Sequence, residues 1–276
     1  LGENLQVLME KNQFVRLVDG DVEIYSLHHL MRETLRQDYF PRSSQNERNT
    51  IFIHAVDYYI HKGHLEKAAI YVIKTKDNVY IDRFLKEHGL ELIARNRFVT
   101  VEEILLQDVG REREKSPWYL FFKGLCLAEE DPAVSTTYLI RSAKHFLHIN
   151  DQYGRLLSLS HIIYNYFLTS SGTVSEYKEY LEEVINLYTK NGDQLPELSK
   201  AYISKNIGVC LAVLEGKMDV SRKYLQLSLS CSWELDFPNM IVTSWVFIGY
   251  SYLLAGKFKF VFQVAESLYV YLLNRR

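Results

Sequence analysis

The chain has 276 residues, a length for which roughly two domains are the prior. With 47% apolar and 24% charged residues it has the composition of an ordered protein, not of a disordered one, and its net charge of −2 argues against a strongly basic nucleic-acid surface. No apolar run approaches the roughly 20 residues that span a bilayer. The three scattered cysteines, Cys126, Cys210 and Cys231, are too few for a disulfide framework and point to a reducing, cytoplasmic setting.

Leu1 to Glu10 reads as the end of a helix, with Leu5, Leu8 and Met9 on one face. Two β-rich runs follow, Phe14 to Val18 and Val22 to Tyr25, around the Asp19-Gly20-Asp21 turn, a hairpin signal. His28 to Tyr39 then carries Leu30, Met31, Leu35 and Tyr39 at helical spacing, ended by Pro41 and a polar stretch. Helix, hairpin and helix in this order suit the C-terminal part of a winged-helix module over residues 1–41. Forty residues bury too little surface to stand alone.

From Asn46 onward no segment reads as a strand. Four of the five prolines, Pro117, Pro132, Pro196 and Pro238, stand at or before the start of a periodic apolar segment, where the missing N–H costs nothing. The segments repeat. Gly124, Gly208 and Gly249 each sit in an apolar helix with another apolar residue three positions on. Each helix is followed by a turn and a second helix: Val134 to His148, Val220 to Cys231 and Phe258 to Leu273. The spacing implies a period of about 42, with a glycine-free copy near Tyr164. An earlier pair runs from Ile51 to His61 and from Leu65 to Lys74 about Gly63. Two less regular helices, Val79 to His88 and Val101 to Gln107, precede the charged link Arg111 to Lys115. A glycine inside a helix costs up to about 1 kcal/mol against alanine. Close approach of the partner helix is the reason expected, with Ala143 as the small residue met by Gly124. Cys126 and Cys210, two positions after their glycines, are expected in the core. These features predict an all-α fold over residues 46–276: a tetratricopeptide-like α-solenoid, a right-handed superhelix of helix pairs.

No catalytic or cofactor motif stands out. Gly216-Lys217 and Gly256-Lys257 lack the Ser or Thr of a phosphate loop, and no Gly-x-Ser-x-Gly, His-Glu-x-x-His or Cys-x-x-Cys occurs. His61 and His64 straddle the turn at Gly63, a poor start for a zinc site. No enzyme activity, metal or cofactor is expected. The 20 tyrosines mostly fill helix seams, but aromatic and amide groups on a concave face can hold a ligand. Trp118, Tyr119, Tyr164 and Asn206 are the candidate ligand-binding set. A peptide-carboxylate clamp would need Lys and Asn four apart on a first helix; Lys205 has Val209 at that offset.

Ile24 to Arg36, with Ile24-Tyr25 before His28-His29-Leu30, resembles the end of the winged-helix region of MalT-like, LuxR-type transcription regulators. His54 to Tyr59, Gly63, Leu65 to Ala69 and Asp151 to Leu157 are also similar to that family. The resemblance implies a signal-transduction ATPase in which a nucleotide-binding domain precedes the winged helix and a repeat region follows as sensor, often with a DNA-binding domain behind it. This chain, beginning at Leu1, would be an excised piece holding the tail of the winged helix and the sensor. Its partners would be a small-molecule inducer or a regulatory protein, together with the other domains of the regulator. No phosphate loop or helix-turn-helix is present to bind nucleotide or DNA directly. The alternative is a free-standing tetratricopeptide scaffold for protein–protein interaction. A helical-toroid enzyme is a third class, for which no converging carboxylates or histidines can be placed.

Overall fold

The computed structural model describes residues 15–19, 24–106, 116–169 and 174–275. The expected helix at Leu1 to Glu10, the turn at Gly20, the link Arg111 to Lys115 and the turn at Gly172 lie outside them. Within them the architecture is helical apart from one strand pair: β1 (Val15–Asp19) runs antiparallel to β2 (Ile24–Leu27), with Val15 opposite Leu27 and Leu17 opposite Tyr25.

Helix α1 (His29–Thr34) follows at once, with His28 at its N-cap and the His28 and His29 rings 4.4 Å apart. It does not end before Pro41. It widens into a π turn (Leu35–Tyr39) and runs on through Phe40–Arg42. The wide turn ends two residues before Pro41, whose missing N–H disrupts ordinary helix bonding. The described helices that follow are α2 (Gln45–His61), α3 (Leu65–Thr75), α4 (Asn78–Phe84), α5 (Leu90–Ala94) and α6 (Phe98–Leu106). A second π turn (Leu85–Gly89) joins α4 to α5. Then come eight more helices: α7 (Pro117–Leu127), α8 (Pro132–His148), α9 (Gln152–Thr169) and α10 (Val174–Asn191); α11 (Glu197–Val213), α12 (Met218–Glu234), α13 (Pro238–Leu254) and α14 (Phe258–Leu273).

The starts follow side-chain chemistry. Pro117, Pro132 and Pro238 occupy first-turn positions, and Pro196 is the N-cap of α11. Asp131 caps α8 by accepting the Val134 N–H at 3.0 Å. Asp131→Ala should cost about 1 kcal/mol, seen as a lowered chemical-denaturation midpoint at unchanged slope; an unchanged midpoint would show the cap is idle. Several ends share one pattern. The N–H of Gly63, Asn96, Asn150, Asp236 and Gly256 reaches back three residues, and the next N–H reaches back five. All five residues have positive φ. This is the Schellman termination, which Asn and Asp tolerate next best to Gly.

From α7 onward packing links each helix to the next, and alternate helices α7, α9, α11 and α13 also touch in turn. Three seams repeat one hydroxyl pairing at a separation of 16 residues: Ser142 with Ser158 (3.1 Å), Tyr188 with Ser204 (3.3 Å) and Ser228 with Ser244 (3.0 Å). The middle seam belongs to the copy without a glycine. Ser142, Ser158, Ser204, Ser228 and Ser244 are fully buried, so each needs the partner it has.

The helix-interior glycines mark close approaches within a pair, but not to Ala143. A Cβ on Gly124 would lie 2.8 Å from Leu139 Cγ and 3.2 Å from the Ser135 carbonyl oxygen. On Gly208 it would lie 2.7 Å from Leu225 Cγ and 3.2 Å from the Ser221 carbonyl oxygen. Ser135 and Ser221 in turn donate their hydroxyls to the Gly124 and Gly208 carbonyls, each at 2.7 Å. That serine-to-carbonyl bond draws the backbones together and leaves no room for a side chain. Gly249 is looser, with Val264 Cγ1 at 3.3 Å.

One apolar cluster runs from Val56 on α2 to Met240 on α13, and its largest fully buried side chains are Phe121, Phe122 and Phe146. The last helix, α14, is different: Phe258, Phe262 and Tyr269 are exposed along it.

Candidate functional site

Alternate helices place their inward faces along one groove of about 290 Å³. From α9 come His161, Tyr164, Asn165 and Leu168, at the i, i+3, i+4, i+7 spacing of a single helix face. Helix α11 supplies Tyr202 and Lys205, one turn apart, and α13 supplies Asn239, Met240 and Thr243. Ile93, Phe98 and Leu125 form the wall from α5, α6 and α7, and Glu129 stands at the exposed rim.

The charge chemistry of this groove is set by burial. Lys205 is 9% exposed, and among the described residues no carboxylate lies within ion-pair distance of it. Its Nζ sits 4.3 Å from the centre of the Tyr164 ring and 5.5 Å from that of Tyr202. Two ring faces supply a desolvated cation with about 2 kcal/mol or more. Loss of water is the larger effect and pushes the ammonium pKa down to about 8. His161 is 7% exposed, with the Phe121 and Tyr202 rings 5.5 and 5.7 Å away. Desolvation holds its pKa down to about 4, opposed by the Leu157 carbonyl and assisted by the charge of Lys205. The imidazole is therefore neutral near pH 7. Its Nδ1 is 3.0 Å from the Leu157 carbonyl oxygen; a carbonyl only accepts, so Nδ1 carries the proton. Burial also raises the Tyr164 and Tyr202 phenols, which stay protonated. The result is a neutral aromatic and amide surface with a single buried cation.

Of the four residues singled out by sequence, Tyr164 lines this groove. Trp118 lies at the other end of α7 from Leu125, seven residues or roughly 10 Å away. It is 6% exposed and packs edge-on to Phe146 with ring centres 4.8 Å apart. Tyr119 packs against the main core, and its backbone N–H donates to Ser116. Asn206 is fully buried beside Lys205, with neither amide atom hydrogen-bonded among the described residues. The structure thus does not bring the four onto one surface. The sequence reading passed over Lys205, His161 and Tyr202 as ligand contacts. Residue pattern gave little signal for them, because α9 and α11 are buried on nearly every face.

A second hollow of about 690 Å³ lies between α12, α13 and α14. The cation lining it, Arg275, is already paired with Asp236 and stacked 5.2 Å above the Tyr271 ring. The cysteines are inert: burial pushes Cys126 up to about 12 and Cys231 up to about 11, and raises Cys210, whose thiol donates to the Ile163 carbonyl. Among the described residues no three His, Cys, Asp or Glu side chains are grouped to hold a metal ion, and no helix is long and apolar enough to cross a membrane. No protein-family model matches the chain, and no curated protein matches it in sequence.

Proposed function

We propose that the chain is the helical-repeat sensor region of a LuxR-type, MalT-like transcription regulator, with the tail of the winged helix at its N-terminal end. In this reading the helix pairs form a tetratricopeptide-like solenoid whose inner face receives a small-molecule inducer or a regulatory protein. The region catalyses nothing and acts in the cytoplasm. The observation that carries the reading is the groove: a ligand-sized hollow built by successive repeats, with a buried cation at its wall. A pure spacer has no need of such a charge. The repeated hydroxyl seams support a stacked-repeat architecture. The strand pair followed directly by the His28–His29 junction supports the winged-helix assignment.

The mechanism is a population shift: ligand in the groove favours one arrangement of sensor against ATPase, by no more than its difference in affinity for the two. The free-standing scaffold is the second reading, favoured by the exposed aromatic side chains of α14. An antibody raised against this chain and applied to its own cells separates the two. A native species several-fold heavier than 32.4 kDa is expected for the regulator. A species of 32.4 kDa would replace it with the scaffold.

A further inference from the structure

The groove holds one cation with no anion beside it. Lys205 is nine-tenths buried, is cushioned by two tyrosine rings, and lines a hollow whose neighbouring histidine is neutral. Its wall carries one carboxylate, Glu129, which stays out at the exposed rim beyond ion-pair distance. A buried ammonium without a counter-charge is a costly arrangement that an isosteric apolar residue would avoid. It becomes favourable when an oxyanion enters and is desolvated against it. The wall also carries the neutral polar side chains Asn96, Asn165, Asn239 and Thr243, and its apolar part is formed by Phe98, Leu125, Leu168 and Met240. At about 290 Å³ the hollow sits at the lower edge of the roughly 300–1,000 Å³ typical of ligand pockets, which sets the occupant as compact.

We propose that this groove is a carboxylate-binding site, in which Lys205 Nζ pairs with the carboxylate of a compact organic acid and the apolar wall takes its hydrocarbon body. The proposal names the ligand class of the receptor groove and rests on reading that groove as a receptor. The same chemistry can come from a free organic acid or from the C-terminal carboxylate of a short apolar peptide.

Thermal unfolding decides it. The probes are 4-phenylbutyrate, its neutral amide, inorganic phosphate, and an apolar tripeptide with a free or amidated C-terminus. A ligand at ten times its Kd shifts the folding equilibrium about elevenfold. The expected result is a rise in Tm with 4-phenylbutyrate or with the free-acid peptide, and none with either amide. The larger rise identifies the source. Lys205→Met should melt higher than the parent in buffer without organic acid and lose the ligand-dependent rise. A rise with the amides, a rise retained by Lys205→Met, a rise with phosphate alone, or no rise with any probe overturns the proposal. Reductive ¹³C-methylation of the unmutated chain gives a check that no folding defect can confuse. The Lys205 resonance should titrate near pH 8 and move to higher pH when 4-phenylbutyrate is added; an unmoved titration also overturns it. Carboxylate binding by a chain that is 32.4 kDa in its cells would keep this site and remove the regulator.

Discussion

Gly208→Leu lowers the melting temperature by several degrees, because there is no space for the new side chain. Even its first carbon would lie 2.7 Å from Leu225 Cγ, and the Ser221 carbonyl oxygen is 3.2 Å away. The Ser221 hydroxyl bond to the Gly208 carbonyl holds that approach closed at 2.7 Å. Overpacking of this kind costs about 1–3 kcal/mol, with more when backbone must move, and each kcal/mol is worth roughly 2–4 °C for chains of 150–250 residues. Alanine gives a sharper comparison. In a helix, glycine to alanine gains up to about 1 kcal/mol of intrinsic propensity. At Gly249 the nearest atom is Val264 Cγ1 at 3.3 Å, on the partly exposed last helix, so that gain should survive and Gly249→Ala should be neutral or stabilising. At Gly208 the clash should reverse the sign. Equal melting temperatures for the two alanine variants would show that the glycines are not packing devices.

Acidification from pH 6.5 to pH 4 should destabilise the chain through His161 by about 3 kcal/mol at the lower limit, at 1.36 kcal/mol per pKa unit. The folded pKa, held down to about 4, lies below the ordinary 6.5, so between those values the unfolded chain binds more protons than the folded one. Stability therefore rises with pH across this window, is fully present above about 6.5, and is lost as pH falls toward 4. The groups around the imidazole reinforce the direction. Lys205 repels a second cation, and Phe121 and Tyr202 exclude water. Glu47 and Glu197, held below the usual carboxylate range by their hydrogen bonds, also lose stability in acid. The quantity to measure is thus the difference between the parent and His161→Phe, by urea unfolding at pH 6.5 and pH 4.5. A shallower pH dependence in the variant is expected. Identical slopes would mean that His161 is solvated and the groove wall open.

Helix ends were the most legible part of this chain. Proline before an apolar run, aspartate at the cap and glycine after the last turn are local devices, and the observed ends of α8, α12 and α14 fall close to where those residues place them. The terminations at Asn96, Asn150 and Asp236 carry no glycine to mark them, and Asn and Asp take positive φ only as less common substitutes for it. Phe237, directly after Asp236, is 5% exposed. In α2 Tyr58 is half exposed, while Phe52 and Val56 are buried.

The ligand site was less legible for a geometric reason. Helices α9 and α11 are buried on nearly every face, so amphipathic patterning cannot say which face lines a groove and which fills a seam. Trp118 and Asn206 look like ligand contacts by type, yet the structure puts them in the core. Lys205 looks like a surface residue by type, yet it is buried. By itself, the sequence determined a helical chain from Asn46 onward, the order of its helices, and the glycines at which pairs close up, since each depends on residues within a few turns of one another. Only the tertiary structure decided that Leu139 and Leu225 rather than Ala143 lie over those glycines, and that a lysine and a neutral histidine share one groove. The first depends on how adjacent helices rotate against each other and the second on helices some forty residues apart; packing sets both, and local pattern sets neither.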